Sequence, residues 1–386
     1  MSTPPPLAGR LVPLRTKDEV RASLETQSVY IVEVPAKFAN VVKDVVQAAI
    51  PDFKTSEISH LRRVVQFKYL PPHLQKQFYP PTRLPRVRFF LLCPTKHIPH
   101  ADLFALLRQC PPFDAKNASA PRVFYVTIPT LAPISAEQAA TWSDKYWPIS
   151  YKNTNPYGPH PSLVQRNAAE IEGEAGTWLV LARTAGKQIS DKCLGESLGV
   201  VVVDRTKGTS QVIAVAGDCR WRSTTGASEP QTGTGNVMAH AVQRAIAMVA
   251  KKRLRIGGTD PALLDRSLFC DSPLTEVEKE YYDKDNIASS GYLCVDLDIY
   301  LTHEPCLMCS MAILHSRFRR CIFATRMPHT GGMTSDGIDV NPLSGGLKHG
   351  LFWRPSELNW KFLAWEFEED GRDEKTGTRT ERLIHV

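Results

Sequence analysis

The sequence contains no apolar run long enough to cross a membrane as a helix. Residues Met1 to Arg10 are rich in proline and lack the apolar core of a secretory signal peptide. Nine cysteines in 386 residues are also too few for the disulfide scaffold of a small secreted domain. These absences argue against membrane-spanning and secreted proteins, and we expect a soluble intracellular protein of two or three domains.

The spacing of the cysteines singles out one pair, because only Cys306 and Cys309 lie close together in the sequence. In a reducing compartment such a pair indicates a metal site or a redox motif, whereas isolated cysteines are usually small buried residues. We therefore expect the other histidines and cysteines, such as His315 and Cys321, to be packing residues.

Positive charge is concentrated in the first half of the chain, although the net charge of the whole sequence is only +7. Residues Met1 to Glu170 include 21 Lys and Arg against 12 Asp and Glu, and the remainder includes 26 against 28. Such asymmetry indicates a nucleic-acid or membrane partner for the basic half.

The stretch from Lys54 to Lys96 contains nine basic residues and a single acid, Glu57, with six aromatic residues interleaved. Cations neutralise phosphates while aromatic rings stack on unpaired bases, so this pattern is typical of RNA binding. The alternative is a solvated basic surface over an ordinary aromatic core. The RNA-binding candidates are Arg62, Arg63, Lys68, Lys76, Arg83, Arg86 and Arg88. The aromatic residues are Phe67, Tyr69, Phe78, Tyr79, Phe89 and Phe90.

Apolar patterns and breaker residues divide the chain into four segments. Residues 1–25 predict a loose N-terminal segment, and residues 26–150 predict a basic α+β domain that binds RNA. Residues 151–170, which begin with the Pro-, Asn- and Gly-rich run YKNTNPYGPHP, predict a linker. Residues 171–386 predict a second domain. The N-terminal elements are expected to be strands at 28–34, 87–92 and 123–128 and helices at 37–50 and 102–109.

The second domain is expected to be α/β, with a mixed sheet flanked by helices. An acidic stretch at about 257–290 predicts an inserted surface loop with a short helix. The basic run Lys251 to Arg255 ends a predicted helix and opposes the negative end of its dipole, with a nuclear-import signal as the alternative interpretation. The expected elements are a helix at 177–189, a hairpin at 198–204 and 211–216, a helix at 235–255, a strand at 292–302, a helix at 307–316 and a strand at 320–325.

Three residues at the starts of two predicted helices form a candidate zinc site. Cys306 and Cys309 are separated by one helical turn, so a helix places both sulfurs on one face, and its positive end favours their thiolates. His240, early in the helix predicted at 235–255, supplies a third ligand, which is the number that catalytic zinc sites use. The alternative is a buried neutral histidine beside two unligated cysteines. His385 or the carboxylate of Val386 is a candidate fourth ligand.

A valine occupies the position from which a catalytic group is expected. Zinc nucleobase deaminases carry H-x-E followed by P-C-x-x-C, and the glutamate moves the proton of the zinc-bound water. Here Val242 stands two residues after His240, and a valine side chain carries no proton. Gln243 carries none either, and Glu304 is adjacent to the cysteine motif without pointing from the same position. We therefore predict a site that binds zinc and does not deaminate.

These residues resemble a family, the non-catalytic subunits of eukaryotic tRNA-specific adenosine deaminases. The resemblance rests on H-A-V at 240–242, the run EPCLMCSMAILHSR at 304–317, the motif LNWKF at 358–362 and a separate basic N-terminal domain. It covers residues 171–365 well and the first 170 only in general character. Trp360, where the family commonly has histidine, and the acidic insertion depart from the pattern and put local substrate contacts in doubt.

The resemblance implies a cytidine-deaminase-like fold, a zinc ion and a heterodimer with a catalytic subunit two. It implies that the heterodimer converts the wobble adenosine of tRNA to inosine, and that this chain contributes tRNA binding and support of its partner. We expect such a protein in the nucleus and cytoplasm. Two alternatives remain open: a free-standing active deaminase that uses another proton carrier such as Glu304, and a zinc-stabilised RNA-binding protein without an enzymatic partner.

Overall fold

A computed structural model describes residues 4–79, 87–115, 118–152, 154–206, 208–222, 235–259, 266–336 and 347–371. The chain divides into two compact units. One consists of Asp18–Pro161, and the other consists of Met1–Lys17 together with Ser162–Val386. The N-terminal elements, in chain order, are β1 (Gly9–Pro13), α1 (Lys17–Leu24), β2 (Thr26–Pro35), α2 (Ala39–Ala49), β3 (Val64–Val65), α3 (Pro72–Phe78), β4 (Val87–Pro94), α4 (His100–Arg108), β5 (Val123–Pro129) and α5 (Ala136–Lys145).

The unit of Asp18–Pro161 is built on an antiparallel four-stranded sheet with the order β3-β4-β2-β5. Its central strand β2 is buried over its last seven residues, because helices and loops cover both faces of this sheet. Val42 and Val46, one helical turn apart on α2, are buried in the same core. This confirms the predicted separate α+β domain.

The second unit contains α6 (Pro161–Asp191), β6 (Gly199–Asp204), β7 (Gln211–Gly217), α7 (Ala241–Ile256), α8 (Glu276–Tyr282), β8 (Leu297–Leu301), α9 (Leu307–His315), β9 (Arg320–Phe323) and β10 (Leu363–Glu369). Its six-stranded sheet has the order β1-β10-β9-β8-β6-β7. β8, β9 and β10 are parallel neighbours, and the other pairs are antiparallel. The predicted mixed sheet is therefore confirmed.

Alternate residues of β6 direct side chains into two different cores, as the two-residue period of a strand requires. Val200 and Val202 pack with α7 and α9, whereas Val201 and Val203 pack with α6. The sheet thus has helices on both faces, and the metal motifs share one of these faces.

The expectation of a loose segment at 1–25 is wrong. Residues Gly9–Pro13 form an edge strand that pairs with β10, with Leu11 opposite Phe367, and residues Lys17–Leu24 form α1. A Cβ atom on Gly9 would lie 2.3 Å from the carbonyl oxygen of Glu368, so glycine permits this close pairing. The strand depends on a partner more than 350 residues away, which local composition does not reveal.

The expected linker also contains regular structure, because α6 begins at Pro161. Proline fits the first turn of a helix, where its missing N–H has no intrahelical acceptor. Ile171, Ala175 and Leu179 then bury one face of α6 against the sheet. Residues 161–170 are therefore helical and are not a linker.

The acidic insertion is more than a surface loop. Its helix α8 packs against β7, and Glu278 is completely buried there. Lys252 Nζ, also buried, donates to the carbonyl oxygens of Ile213 and Tyr281 at 2.6 and 2.7 Å. The described part of this stretch, residues 257–259 and 266–290, is thus attached to the sheet through buried polar contacts.

None of the helices in the described residues is both long and apolar enough to span a membrane.

Candidate metal centre

His240 lies immediately before α7, whereas the sequence placed it inside the first two turns. Its backbone is extended, with φ −66° and ψ 147°, and its carbonyl oxygen accepts the first hydrogen bond of the helix, from Arg244 N at 3.0 Å. His240 is therefore the N-cap residue, and its side chain is 6% exposed. The position of His240 at the start of α7 therefore sets the direction of its side chain.

Cys306 holds the equivalent position at the start of α9. Its backbone is extended, with φ −62° and ψ 171°, and Cys309 lies in the first turn of the helix that follows. Cys306 also makes a β-bridge to Gly331. The predicted placement of both motifs at helix starts is therefore what the structure has.

The structure brings the side chains of these three residues together. The Nδ1 atom of His240 lies 3.8 Å from Cys306 Sγ and 3.5 Å from Cys309 Sγ, and all three donor atoms lie within 4.8 Å of one another. In a tetrahedral zinc site a sulfur and a nitrogen ligand stand about 3.5 Å apart. The two separations from Nδ1 therefore fit a zinc ion held between the three buried side chains.

The electrostatics of the cysteine pair favour metal binding. A hydrogen bond from Cys309, assisted by one from His240, lowers the pKa of Cys306 to about 4. A thiolate is the form of cysteine that binds a metal ion. The lowered pKa of Cys306 favours its thiolate beside the imidazole, and thiolate and imidazole together are a donor set suited to zinc.

Val242 is 1% exposed and lies beside His240 in a narrow pocket. The enclosed space between the described residues there is about large enough for one water molecule. Val242 contributes only methyl groups to this lining. The pocket thus has no proton carrier at this position among the described residues.

Glu304 is fully buried, and its carboxylate is hydrogen-bonded to a neighbouring loop. Its carboxylate accepts hydrogen bonds from the backbone N–H groups of Met327, Met333 and Thr334 at 3.1, 3.0 and 2.8 Å, and from the Thr334 hydroxyl at 2.9 Å. Burial raises the pKa of this carboxyl group, and the hydrogen bonds oppose that effect. Glu304 therefore anchors the loop at 327–334.

Sequence reasoning missed Asp218, the one acidic residue among the described residues that line the pocket. It follows β7 and is fully buried, with a carboxylate oxygen 2.8 Å from Arg220 Nε. Its other oxygen accepts from the backbone N–H groups of Glu196 and Arg220. An acid that directly follows a buried strand was the available signal. The ion pair makes Asp218 a neighbour of the metal ligands with its charge already compensated.

The remaining candidates at this site have mixed outcomes. Cys321 is buried in β9, as expected of a packing residue, whereas His315 is exposed at the end of α9, so that expectation was wrong. His385 and Val386, proposed as fourth ligands, lie outside the described residues. Trp360 donates its indole N–H to Phe318 O at 3.1 Å and is therefore part of the local packing.

The five RNA-binding candidates among the described residues are either exposed or half-buried in the N-terminal unit. Arg62, Lys68 and Lys76 are exposed. Arg63 is half-buried, with its guanidinium 5.3 Å from the Phe90 ring centroid, and Arg88 is half-buried and donates to its neighbour's carbonyl oxygen. Two further candidates, Arg83 and Arg86, lie outside the described residues.

Most of the interleaved aromatic residues are core residues. Phe78, Phe89 and Phe90 are buried, and Phe67 packs against them, so these rings are not available to stack on bases. Tyr69 and Tyr79 are exposed, at 60% and 71%. The alternative of an ordinary aromatic core therefore holds for the phenylalanines.

Residues 174–325, which include His240, Cys306 and Cys309, match the cytidine and deoxycytidylate deaminase zinc-binding region. This part of the chain is therefore similar to the zinc-binding region of that family. The matched residues 174–325, called the deaminase region below, extend from within α6 to just after β9 in the second unit.

Three relatives that match longer parts of the chain have similar names. The tRNA-specific adenosine deaminase subunit TAD3 of Saccharomyces cerevisiae is 32% identical over 223 residues, which cover 56% of this chain and 54% of the relative. The subunit tad3 of Schizosaccharomyces pombe is 26% identical over 346 residues, 89% of this chain and 84% of the relative. A Homo sapiens relative, 26% identical over 285 residues (70% and 73%), is named a probable inactive tRNA-specific adenosine deaminase-like protein 3. The chain thus spans about half the length of the first of these relatives.

Proposed function

We propose that this chain is the non-catalytic, zinc-binding subunit of a heterodimeric tRNA adenosine deaminase. The observation that carries the proposal is the combination of three convergent metal donors with a valine where the deaminase signature has its proton-carrying glutamate. The names of the relatives, which include a TAD3 subunit and a probable inactive deaminase-like protein, support the same assignment.

His240, Cys306 and Cys309 are the residues that would hold zinc. In active deaminases the metal supplies an activated water that attacks the base. In this chain the three side chains come from the starts of α7 and α9, which pack in one core, so an ion held by them would connect the two helix starts and stabilise the fold. Val242 contributes only methyl groups to the adjoining space, so its side chain cannot carry a proton.

A partner is required because a deaminase region without its base cannot complete the reaction alone. We propose a catalytic subunit of the same family, subunit two, that carries the H-x-E motif. The conversion of the wobble adenosine of tRNA to inosine then takes place in that subunit. The nucleus and cytoplasm, where tRNA is processed and used, are the proposed locations.

The basic N-terminal unit supports a role in holding tRNA. Arg62, Lys68 and Lys76 are exposed, and the exposed ring of Tyr69 lies 4.8 Å from Lys68 Nζ. Cations of this kind attract phosphates without regard to sequence. Arg63 and Arg88, which are half-buried, stay in the proposed set with a smaller accessible charge.

Glu304 gives no support to the alternative of a free-standing active deaminase. Its two carboxylate oxygens accept four hydrogen bonds from the loop at 327–334. A proton carrier must lie within hydrogen-bond distance of the metal-bound water. The recorded hydrogen bonds of the Glu304 carboxylate are instead made with this loop.

Reversing three exposed charges should weaken tRNA binding. We expect Arg62→Glu, Lys68→Glu and Lys76→Glu together to lower the affinity of the full-length protein at least about tenfold at moderate salt. They should also make the plot of log affinity against log salt less steep by about two to three, because each phosphate contact contributes close to one unit of slope. The measurement is a salt titration of tRNA binding. Lys145→Glu, an exposed lysine of the same unit, is the control. An unchanged salt slope in the triple variant would favour a solvated basic surface.

Restoring the signature glutamate should not restore catalysis. We expect Val242→Glu to leave the isolated chain without deaminase activity, because the enclosed space beside Val242 is about large enough for one water molecule. It should also lower the melting temperature, since it buries a carboxylate in an apolar core. Val242→Gln, which has the same size without charge, is the control. Inosine formation by the isolated Val242→Glu chain would contradict this expectation.

Reconstitution tests the proposed function directly. The full-length chain is mixed with a candidate H-x-E subunit, and inosine at the wobble position of a tRNA transcript is measured for each subunit alone and for the mixture. The proposal expects co-elution of the two chains and activity that requires both. Full activity of the partner alone, with no stimulation and no co-elution, would overturn it.

A further inference from the structure

Arg63 is a half-buried cation of the N-terminal unit, and its charge has no partner among the described residues. Its Nε atom is buried without a hydrogen-bond acceptor, and the ion pairs of the described part of this unit do not include its guanidinium. The positions of the unit outside the described residues, 80–86, 116–117 and 153, contain no acid in the sequence. Burial lowers the pKa of Arg63, as expected for a cation that has lost water without gaining a counter-ion.

Two aromatic rings and a backbone hydrogen bond hold Arg63 in place. The central carbon of its guanidinium lies 5.3 Å from the ring centroid of Phe90 and 6.0 Å from that of Phe53. At such distances the face of a ring attracts a cation. The Leu91 N–H group donates to the Arg63 carbonyl oxygen at 2.8 Å, which fixes the backbone of Arg63 beside β4.

A second arginine of the same unit shows what Arg63 lacks. Arg122 lies 5.2 Å from the ring centroid of Phe124, and it also pairs with the buried Glu33 at 2.7 Å. A ring face compensates only part of the loss of water around a cation. The position that Glu33 takes beside Arg122 is filled by no described residue beside Arg63.

Arg63 belongs to the rim of a shallow surface cleft. The space enclosed in this cleft is too small for a water molecule, so a ligand would contact the rim from the solvent side. The floor is apolar and buried, and it consists of Val46, Phe53, Phe90 and Leu92. The rim is polar and exposed or half-buried, and it consists of Lys43, Gln47, Thr55 and Arg63.

The rim collects hydrogen-bond donors from separate segments of the chain. Lys43 and Gln47 are one helical turn apart on α2 and therefore lie on the same side of that helix. The ion pair recorded for Lys43 is with its exposed neighbour Asp44, at 3.5 Å, and a pair of this kind is weak. No acid is among the described residues that line the cleft.

This set of donors matches the chemistry of a phosphate group. A guanidinium donates in a planar fork that fits two phosphate oxygens, and an ammonium group adds a compact positive charge. The amide of Gln47 and the hydroxyl of Thr55 are donors for further oxygens. Two positive charges on one rim disfavour a metal cation at the same place.

We propose that Lys43, Gln47, Thr55 and Arg63 form a binding site for a phosphate group. Two sources carry this chemistry, the backbone of a bound RNA and a free phosphate compound. The comparison with tRNA rests on the proposed function, whereas a titration with inorganic phosphate does not.

The test titrates the full-length protein with inorganic phosphate at constant ionic strength and follows binding by phosphorus NMR. We expect saturable binding to the unaltered chain. Arg63→Gln should weaken it at least about tenfold, because the charged fork is lost. Lys43→Gln should weaken it about three- to fivefold, since a more exposed charge is removed. Lys37→Gln, which changes an exposed lysine of the same unit outside the cleft, is the control and should bind phosphate like the unaltered chain.

The exposed position of the Lys43 side chain keeps the test decisive even where Arg63→Gln does not fold. Phosphate binding that does not saturate would overturn the proposal. Saturable binding with the same affinity in the unaltered chain and in every folded rim variant would also overturn it, because the phosphate would then bind elsewhere.

Competition with a tRNA transcript identifies the source of the phosphate group. If the site holds RNA, saturating phosphate should weaken tRNA binding by the unaltered chain and should have no such effect on Arg63→Gln. If the site holds a free phosphate compound, the affinity for tRNA should not change while phosphate is bound. A chain that binds phosphate at the rim and no tRNA at all would contradict the proposed tRNA contact and support the phosphate site.

Discussion

Replacing Glu278 with alanine should lower the free energy of unfolding of the deaminase region by about 3–5 kcal/mol. Glu278 and Arg244 are both fully buried, and their carboxylate and guanidinium groups make two contacts, at 2.6 and 3.0 Å. The carboxylate also accepts from the backbone N–H groups of Gly217 and Leu274. Alanine removes all of these acceptors and leaves a buried guanidinium charge without its counter-ion, which is the costly way to break such a pair.

The measurement is urea unfolding of the full-length protein, followed by a signal that reports on the deaminase region. Glu280→Ala is the matched control, because Glu280 lies on the same helix but is exposed and pairs with Lys284 at 3.3 Å. An exposed pair of this kind contributes at most about 1 kcal/mol. Equal stabilities of the Glu278→Ala and Glu280→Ala variants would contradict the expectation that the buried Arg244–Glu278 pair stabilises the attachment of the insertion to α7.

Replacing Cys309 with alanine should remove zinc and destabilise the deaminase region by several kcal/mol. Binding of structural zinc contributes about 10–16 kcal/mol in small zinc-dependent peptides, and a site reduced to two donors should no longer hold the ion. Because His240 and Cys309 belong to different helices, loss of the ion also removes a connection between the starts of α7 and α9.

Metal analysis and thermal unfolding, each with and without a chelator, measure this effect. Cys321→Ala is the control, because Cys321 is equally buried in the same core but is not near the three donors. It should lose some stability through the small cavity it creates and should keep its zinc. A chelator should lower the melting temperature of the unaltered chain and of Cys321→Ala, and should not change that of Cys309→Ala. Full zinc content and an unchanged melting temperature in Cys309→Ala would contradict the assignment.

The elements that could be predicted from the sequence are those whose signal is local. Apolar runs and turn residues place β6, β7, β4 and β5 within one or two residues of their observed bounds. The motif at 304–317 places two cysteines at a helix start, and the distances to His240 Nδ1 agree with that geometry. That these residues hold zinc stays a prediction.

The features that could not be predicted depend on partners that are distant in the sequence. The strand β1 forms by pairing with β10, and the residues near Gly9–Pro13 contain no local pattern that predicts this pairing. Glu278 lies in an acidic stretch that suggests an exposed surface, and its burial depends on Arg244 one turn after His240. Composition alone gave each of these residues the wrong environment, because it does not contain the long-range pairing.

The basic stretch shows a second limit of sequence reasoning. Alternation of cations and aromatic rings suits both an RNA surface and the edge of an ordinary core. Because Phe89 and Phe90 are buried, their rings belong to the core and not to an RNA surface. Lys68 and Lys76 are exposed, so the binding experiment tests their proposed contact with RNA.

The central claim is that this chain holds zinc at a deaminase site and does not deaminate. The most direct test measures zinc content and inosine formation on the same preparation of the purified full-length chain, with a wobble-adenosine tRNA transcript as substrate. We predict about one zinc ion per chain and no inosine above the background of a protein-free control. Inosine that increases with the amount of this chain, and that disappears in Cys309→Ala, would contradict the account. Another residue would then act as the proton carrier that Val242 cannot be.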